Sequence, residues 1–180
     1  MKSTISQNIE VTQVATSKIS QVDFENLNFG TVFTDHMFVC DYKDGQWQTP
    51  SIVPYGPLTM DPSARVFHYG QAVFEGMKAY KDEQGDVFLF RPDENYHRIN
   101  KSAERLAIPA FPENYFFEGL NTLLKLDDAW IKPGLGNSLY IRPFVIATQA
   151  SVSASEADEY KFMIICSPAC LLYTSDAADD

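Results

Sequence analysis

The chain predicts an α+β fold, an antiparallel-rich sheet with two helices packed on it. Three features of the order of elements give that reading. Two hairpins lie close together in sequence, two helices follow them, and two strongly apolar strands come last. At 180 residues the chain suits one ordinary domain, able to bury roughly two thirds of its unfolded surface.

Residues 1–22 are polar, with scattered Ser, Thr and Gln, and read as an extended arm carrying at most one short strand at Ile9–Val14. The texture changes at Asp23. Thr31–Tyr42 and Trp47–Val53 flank Lys43-Asp44-Gly45, and Asp-Gly between strand-like runs is a hairpin signal. The pattern recurs as Gly76–Lys81, a Gln84-Gly85-Asp86 turn and Val87–Arg91. Asp93 is placed to cap a helix running to about Leu106, with Tyr96, Ile99, Ala103 and Leu106 along one face. Pro109 and Pro112 break the chain before a second helix from Glu113 to about Trp130, whose apolar positions are Phe117, Leu120, Leu124 and Ala129. Ser138–Gln149 and Tyr160–Ser167 read as strands. The second is nearly all apolar and therefore central; such a strand is normally covered, so this chain by itself is expected to expose an apolar patch there and to associate.

A net charge of −10 argues against nucleic acid or an anionic membrane as partner. No apolar run approaches the roughly eighteen residues of a membrane span, and the first residues lack the apolar core of a signal peptide. Cys40, Cys166 and Cys170 have no metal-type spacing. Cys40 and Cys166 sit in apolar strands, as buried thiols do in a reducing, cytoplasmic compartment.

The densest chemistry lies in FHYGQAVFEGMKAY (Phe67–Tyr80) and LFRPDENYHRI (Leu89–Ile99), joined later by SLYIRP (Ser138–Pro143). Arg98 offers a planar fork that suits a phosphate better than a lysine does; a surface ion pair with Glu94 or Glu104 is the plainer use. Tyr140 and Arg142 are two apart, so in a strand they share a face. A buried arginine needs an anion; Asp35 or Glu75 would serve as structural partners. With thirteen Phe and nine Tyr in the chain, most aromatics belong to the core. Gly76 is placed to let a short helix turn into a strand. His36 and His68 read as hydrogen-bonded scaffold.

Taken together, these motifs resemble the branched-chain-amino-acid aminotransferases, pyridoxal-phosphate enzymes of fold type IV, over residues 24–169. The resemblance implies the small N-terminal domain at residues 23–169, pyridoxal 5′-phosphate as cofactor, and a homodimer. It implies as substrates the branched-chain amino acids and the pair 2-oxoglutarate and glutamate. It places Arg98 on the cofactor phosphate. It sets Phe29, Tyr69, Phe74 and Tyr140 around the substrate, with a tyrosine hydroxyl available to the substrate carboxylate. Arg142 would tune the pocket for the acidic partner. Val152 and Ala154, in the small-residue loop ASVSASEAD, would reach the neighbouring subunit's pocket. Lys78 is by the same resemblance a scaffold residue and not the Schiff-base lysine, which falls later in the family's sequence. No catalytic residue is therefore assigned in this chain, and the chain alone is expected to be inactive.

The resemblance holds through Ala169. Residues 170–180, CLLYTSDAADD, instead resemble the read-through translation of a transposase-type sequencing adapter, and are expected to be an assembly artefact rather than an acidic tail. Two other readings are weighed. One is a different fold type IV enzyme, a D-amino-acid aminotransferase or aminodeoxychorismate lyase, which the long motif matches disfavour. The other is a truncated, non-catalytic paralogue that folds alone or docks on an intact subunit.

Overall fold

The computed structural model describes residues 9–170. It contains the strands β1 (Glu10–Val11), β2 (His36–Lys43), β3 (Gln46–Trp47), β4 (Ser51–Pro54), β5 (Ala72–Phe74), β6 (Met77–Lys81), β7 (Val87–Leu89), β8 (Asn137–Ala147) and β9 (Tyr160–Cys170). A short helix α1 (Arg65–Tyr69) precedes β5, and the helices α2 (Pro92–Arg105) and α3 (Glu113–Leu126) lie between β7 and β8. The sheet runs β1-β4-β2-β9-β8-β6-β7, with β3 added on β2 and β5 on β8. Every pairing is antiparallel except β1 with β4. This is the α+β class that the sequence predicts.

Both hairpins form where expected. Asp44 and Gly45 have φ of 53° and 75°, the left-handed pair that a tight two-residue turn requires. α3 buries an apolar stripe of Phe116, Leu120, Leu123 and Leu124 with Gly119, whereas α2 buries a more polar one than its apolar periodicity indicates. In α2 the buried residues are Asn95, Ile99 and Ala103, while Leu106 is exposed just past the helix end. Arg91, not Asp93, is the residue flanking its start, with Pro92 in the first turn, and no side chain caps it. The second helix ends at Leu126 rather than Trp130, and a 3-10 turn over Asp128–Trp130 follows.

α3 lies on β2 and β4, and α2 on β5. Phe111 stacks on Phe162 of the central strand with ring centroids 3.7 Å apart, and Phe38 and Phe116 meet the same ring edge-on. β9 is central as expected, but it is not left uncovered. Tyr160, Phe162, Met163, Ile164 and Cys166 are all buried within the chain. The apolar surface that remains lies elsewhere, on Phe67, Phe74, Tyr80, Phe88 and Phe90.

β2 begins at His36, five residues later than the predicted strand, and Asp35 and His36 at its start are engaged by the arm and by the turn that follows α3. Asp35 accepts from Ser17 Oγ, from Lys18 N at 3.0 Å and from Trp130 Nε1 at 2.9 Å. The His36 ring sets Nδ1 2.6 Å from Asp127 Oδ1, while its Nε2 accepts the Val14 N–H at 3.0 Å. The described part of the arm is thus fastened to the sheet, and His36 is scaffold. His68 is too, with Nε2 3.0 Å from the Pro62 carbonyl. Cys40 and Cys166 are free, buried thiols; burial, helped by the Asp41 charge, pushes the Cys40 thiol up to about 12. Residues 171–180 of the expected tail lie outside the described residues.

Candidate functional site

β5 and β6 pair with successive stretches of β8, and the ladder is interrupted between them at Glu75-Gly76. Alternation along these strands turns Val73, Met77, Ala79, Leu139 and Ile141 into the core. Phe74, Lys78 and Tyr80 fall on the other face, where Lys78 pairs in register with Tyr140 and the half-buried Tyr140 and Arg142 emerge side by side. The first half of α2 closes one side. The result is a cleft of about 800 Å³ whose lining includes Phe74, Glu75, Lys78, Arg98, Tyr140 and Arg142.

The anchor of this cleft is Glu75, which the sequence offered only as a structural partner for Arg142. Its carboxylate takes a two-pronged contact from Arg98, Nε to Oε1 at 2.8 Å and Nη2 to Oε2 at 2.7 Å. Asn95 Nδ2 donates to the same carboxylate at 2.9 Å and to the Gly76 carbonyl at 3.1 Å. Burial pushes the Glu75 carboxyl up. The bonds from Arg98 and Asn95, the Arg98 charge and the Gly76 N–H outweigh it and hold the group below its ordinary range. The same contact raises Arg98 further above its already high value. Arg98 therefore pairs with Glu75, not with Glu94 or Glu104; Glu94 pairs instead with Arg91 at 3.0 Å. The Arg98 side chain stays 63% exposed, and its Nη1 makes no hydrogen bond among the described residues.

Arg142 pairs with neither Asp35 nor Glu75. Its Nη2 and Nε donate to the Tyr140 hydroxyl at 2.6 and 3.2 Å, and its guanidinium lies 4.2 Å from the Phe74 ring centre. Phe29 meets Tyr140 edge-on at 5.0 Å, so it covers the rim. Gly76 has an ordinary φ; the left-handed glycine that ends the short helix is Gly70, at φ 61°. What Gly76 provides is room, since a Cβ there would sit 2.5 Å from the Tyr140 hydroxyl.

Among the sequence-derived site residues, Arg98, Phe74, Tyr140 and Arg142 meet in one cleft, with Phe29 beside it. Tyr69, Val152 and Ala154 do not line it. Tyr69 donates its hydroxyl to the Val152 carbonyl, and Val152 and Ala154 are exposed on the loop between β8 and β9. Asn95 and Glu75 act through contacts about twenty residues apart, which no local pattern announces.

The cleft has a clear electrostatic character. Both of its carboxylates are engaged by arginines, whereas Lys78 and Arg142 face no carboxylate within ion-pair distance among the described residues. A surplus of cations beside aromatic rings suits a ligand with an anionic end and an apolar body.

No protein-family model matches the chain. It is 51% identical over 155 residues to branched-chain-amino-acid transaminase 1 of Bacillus subtilis (strain 168), covering 86% of this chain and 44% of that protein. The chain thus spans less than half the length of the curated relatives it matches. Its fold is similar to that of the branched-chain aminotransferase from Thermoproteus uzoniensis with norvaline, with a TM-score of 0.57 and 19% identity over 74% of this chain and 41% of that one. It is also similar to the branched-chain amino acid aminotransferase from Escherichia coli, with a TM-score of 0.54 and 21% identity over 74% and 40% of the two chains. At these identities the solved structures speak for the fold, and the sequence relatives for descent. The chain belongs to the branched-chain-amino-acid aminotransferase family, as a fragment of such an enzyme.

Proposed function

We propose that the chain is the N-terminal part of an enzyme that moves the amino group between leucine, isoleucine or valine and 2-oxoglutarate, with pyridoxal 5′-phosphate as cofactor. The observation that carries this reading is the cleft in which Arg98, Phe74, Tyr140 and Arg142 converge, with Lys78 and Arg142 left without a carboxylate among the described residues. The residues fit the cofactor's anionic end: Arg98 is steered by Glu75 yet keeps Nη1 available, and would hold the phosphate. Pyridoxal phosphate, when bound, supplies the electron sink for amino-group transfer. Phe74, Tyr140 and Phe29 form the apolar wall for a branched side chain. The Tyr140 oxygen accepts from Arg142, so its own proton is directed outward and can be donated to a substrate carboxylate. Arg142 is the group for the second carboxylate of glutamate or 2-oxoglutarate.

By the resemblance, the lysine that bears the cofactor falls in the part of the family's sequence that this chain does not span, so no catalytic residue is assigned among its 180 residues. Val152 and Ala154, outside the cleft, serve the pocket of a second subunit in a homodimer, and Tyr69, whose hydroxyl holds the Val152 carbonyl, braces their loop. We assign the working protein to the cytoplasm, with no nucleic-acid or membrane partner, and treat residues 23–169 as the small domain.

The test is to read the gene past codon 169 from an independent library and express the complete frame. The expected result is glutamate formation from 2-oxoglutarate with each of the three amino acids, and loss of bound cofactor absorbance in Arg98→Met. Absence of amino transfer from all three would overturn the reading.

A further inference from the structure

Arg65 is a charged side chain that the site does not use and the sequence patterns do not single out. It opens α1 and is only 4% exposed, yet no carboxylate among the described residues meets it. Its Nη1 donates to the carbonyls of Ser155 and Glu156, the latter at 2.5 Å, and its Nη2 to Ser155 Oγ at 3.0 Å. Its Nε is buried without a partner. A buried guanidinium that meets only neutral oxygens is a poor way to stabilise a fold, and an apolar side chain of similar size would do so better. What the arrangement does achieve is to hold a loop.

That loop, residues 150–159, is tied to α1 and its approach at several points. Ser151 N bonds to the Ser63 carbonyl and Arg65 N to the Gln149 carbonyl, each at 3.1 Å, and Ala64 bridges Ala150. Tyr69, one turn along α1 from Arg65, holds the Val152 carbonyl. Gln149 and Asp158 close the base with a reciprocal pair of bonds, each 3.1 Å. Val152 nonetheless stays 64% exposed at the middle of this fastened arch.

We propose that Arg65 is a positioning residue: it fixes the far limb of the 150–159 loop so that Val152 and Ala154 are presented, already ordered, to the second subunit's substrate pocket. Loop order is a property of this chain alone. Its use in specificity rests on the function proposed above.

The experiment is amide hydrogen exchange on the 180-residue chain with Arg65→Met and Arg65→Lys, followed by kinetics of the same variants in the complete enzyme. In Arg65→Met, exchange at residues 151–157 rises at least tenfold while β8 and β9 keep their protection; Arg65→Lys, which can still donate to the two carbonyls, recovers part of it. In the enzyme, Arg65→Met raises KM for leucine several-fold with kcat within twofold. Unchanged loop exchange would overturn the proposal. So would faster exchange throughout β8 and β9, which would make Arg65 a general fold residue. Loosened exchange with an unchanged KM would overturn the specificity role. A wild-type enzyme that transfers no amino group would refute the proposed function and leave the exchange result standing as evidence for the clamp.

Discussion

Glu75 shows how one side chain organises the cleft. It orients Arg98, engages Asn95 and accepts the Gly76 N–H, and these contacts hold its carboxyl below the ordinary value despite burial. A depressed folded value means stability that is fully present above the unfolded value near 4.5 and is lost as pH falls through the folded value. Glu75→Gln should therefore cost roughly 1–2 kcal/mol at pH 7, the lower part of the range for charge-assisted bonds because Arg98 is largely exposed. The gap to the wild type should narrow as pH drops from about 4.5 toward 3. Urea titrations of both proteins at pH 7 and pH 3.5 measure it, and parallel losses would mean the carboxylate is not held as described. The residues legible in sequence were those with a local pattern, such as Tyr140 and Arg142 on alternate strand positions. Arg65 was not, because its partners are backbone oxygens about ninety residues away.

Elements were legible where they were long enough to repeat. α2, α3, β8 and β9 carry enough residues for a period of 3.6 or 2 to show, and their ends shifted by a few positions. α1 and β5, five and three residues long, show no period; they exist because they pack on β8 and pair with it. Inside α3 the apolar period also hid a small residue with a packing purpose. Gly119 is buried against Phe38 of β2, and a Cβ there would lie 2.3 Å from Phe38 Cε2 and 2.6 Å from Cδ2. Replacing an exposed helix glycine by alanine ordinarily stabilises by about 1 kcal/mol. Here Phe38 is fully buried and has nowhere to move. Gly119→Ala should reverse the sign and destabilise by about 2–3 kcal/mol as α3 is pushed off β2. Thermal melts of the variant check this; an unchanged or higher midpoint would show that the helix can slide without loss.

At the scale of the whole molecule, the expectation that β9 leaves the apolar patch is corrected, but a patch remains. The central strand is covered on both sides by its neighbours and by the helices. The uncovered side chains lie instead at the rim of the cleft, where Phe74 is 64% exposed, Tyr80 45%, Phe88 53% and Phe90 76%. Tyr80 and Phe88 face each other across the β6–β7 pair, so they form one continuous strip with Phe90 at the end of it. Contiguous aromatic surface of this kind is uncommon on a chain that works alone. The net charge of −10 opposes association only weakly at physiological salt, where repulsion is screened within about 8 Å. The 180-residue chain should therefore self-associate as concentration rises into the tens of micromolar, and bind a hydrophobic dye in proportion to its monomer fraction. Phe88→Ser with Phe90→Ser should abolish most of both effects without lowering stability by more than about 1 kcal/mol, because neither ring is in the core. Light scattering across a dilution series decides it. A wild-type chain that stays monomeric at every concentration would mean that the rim is shielded in solution by its own charged border, namely Arg91, Glu94 and Lys78.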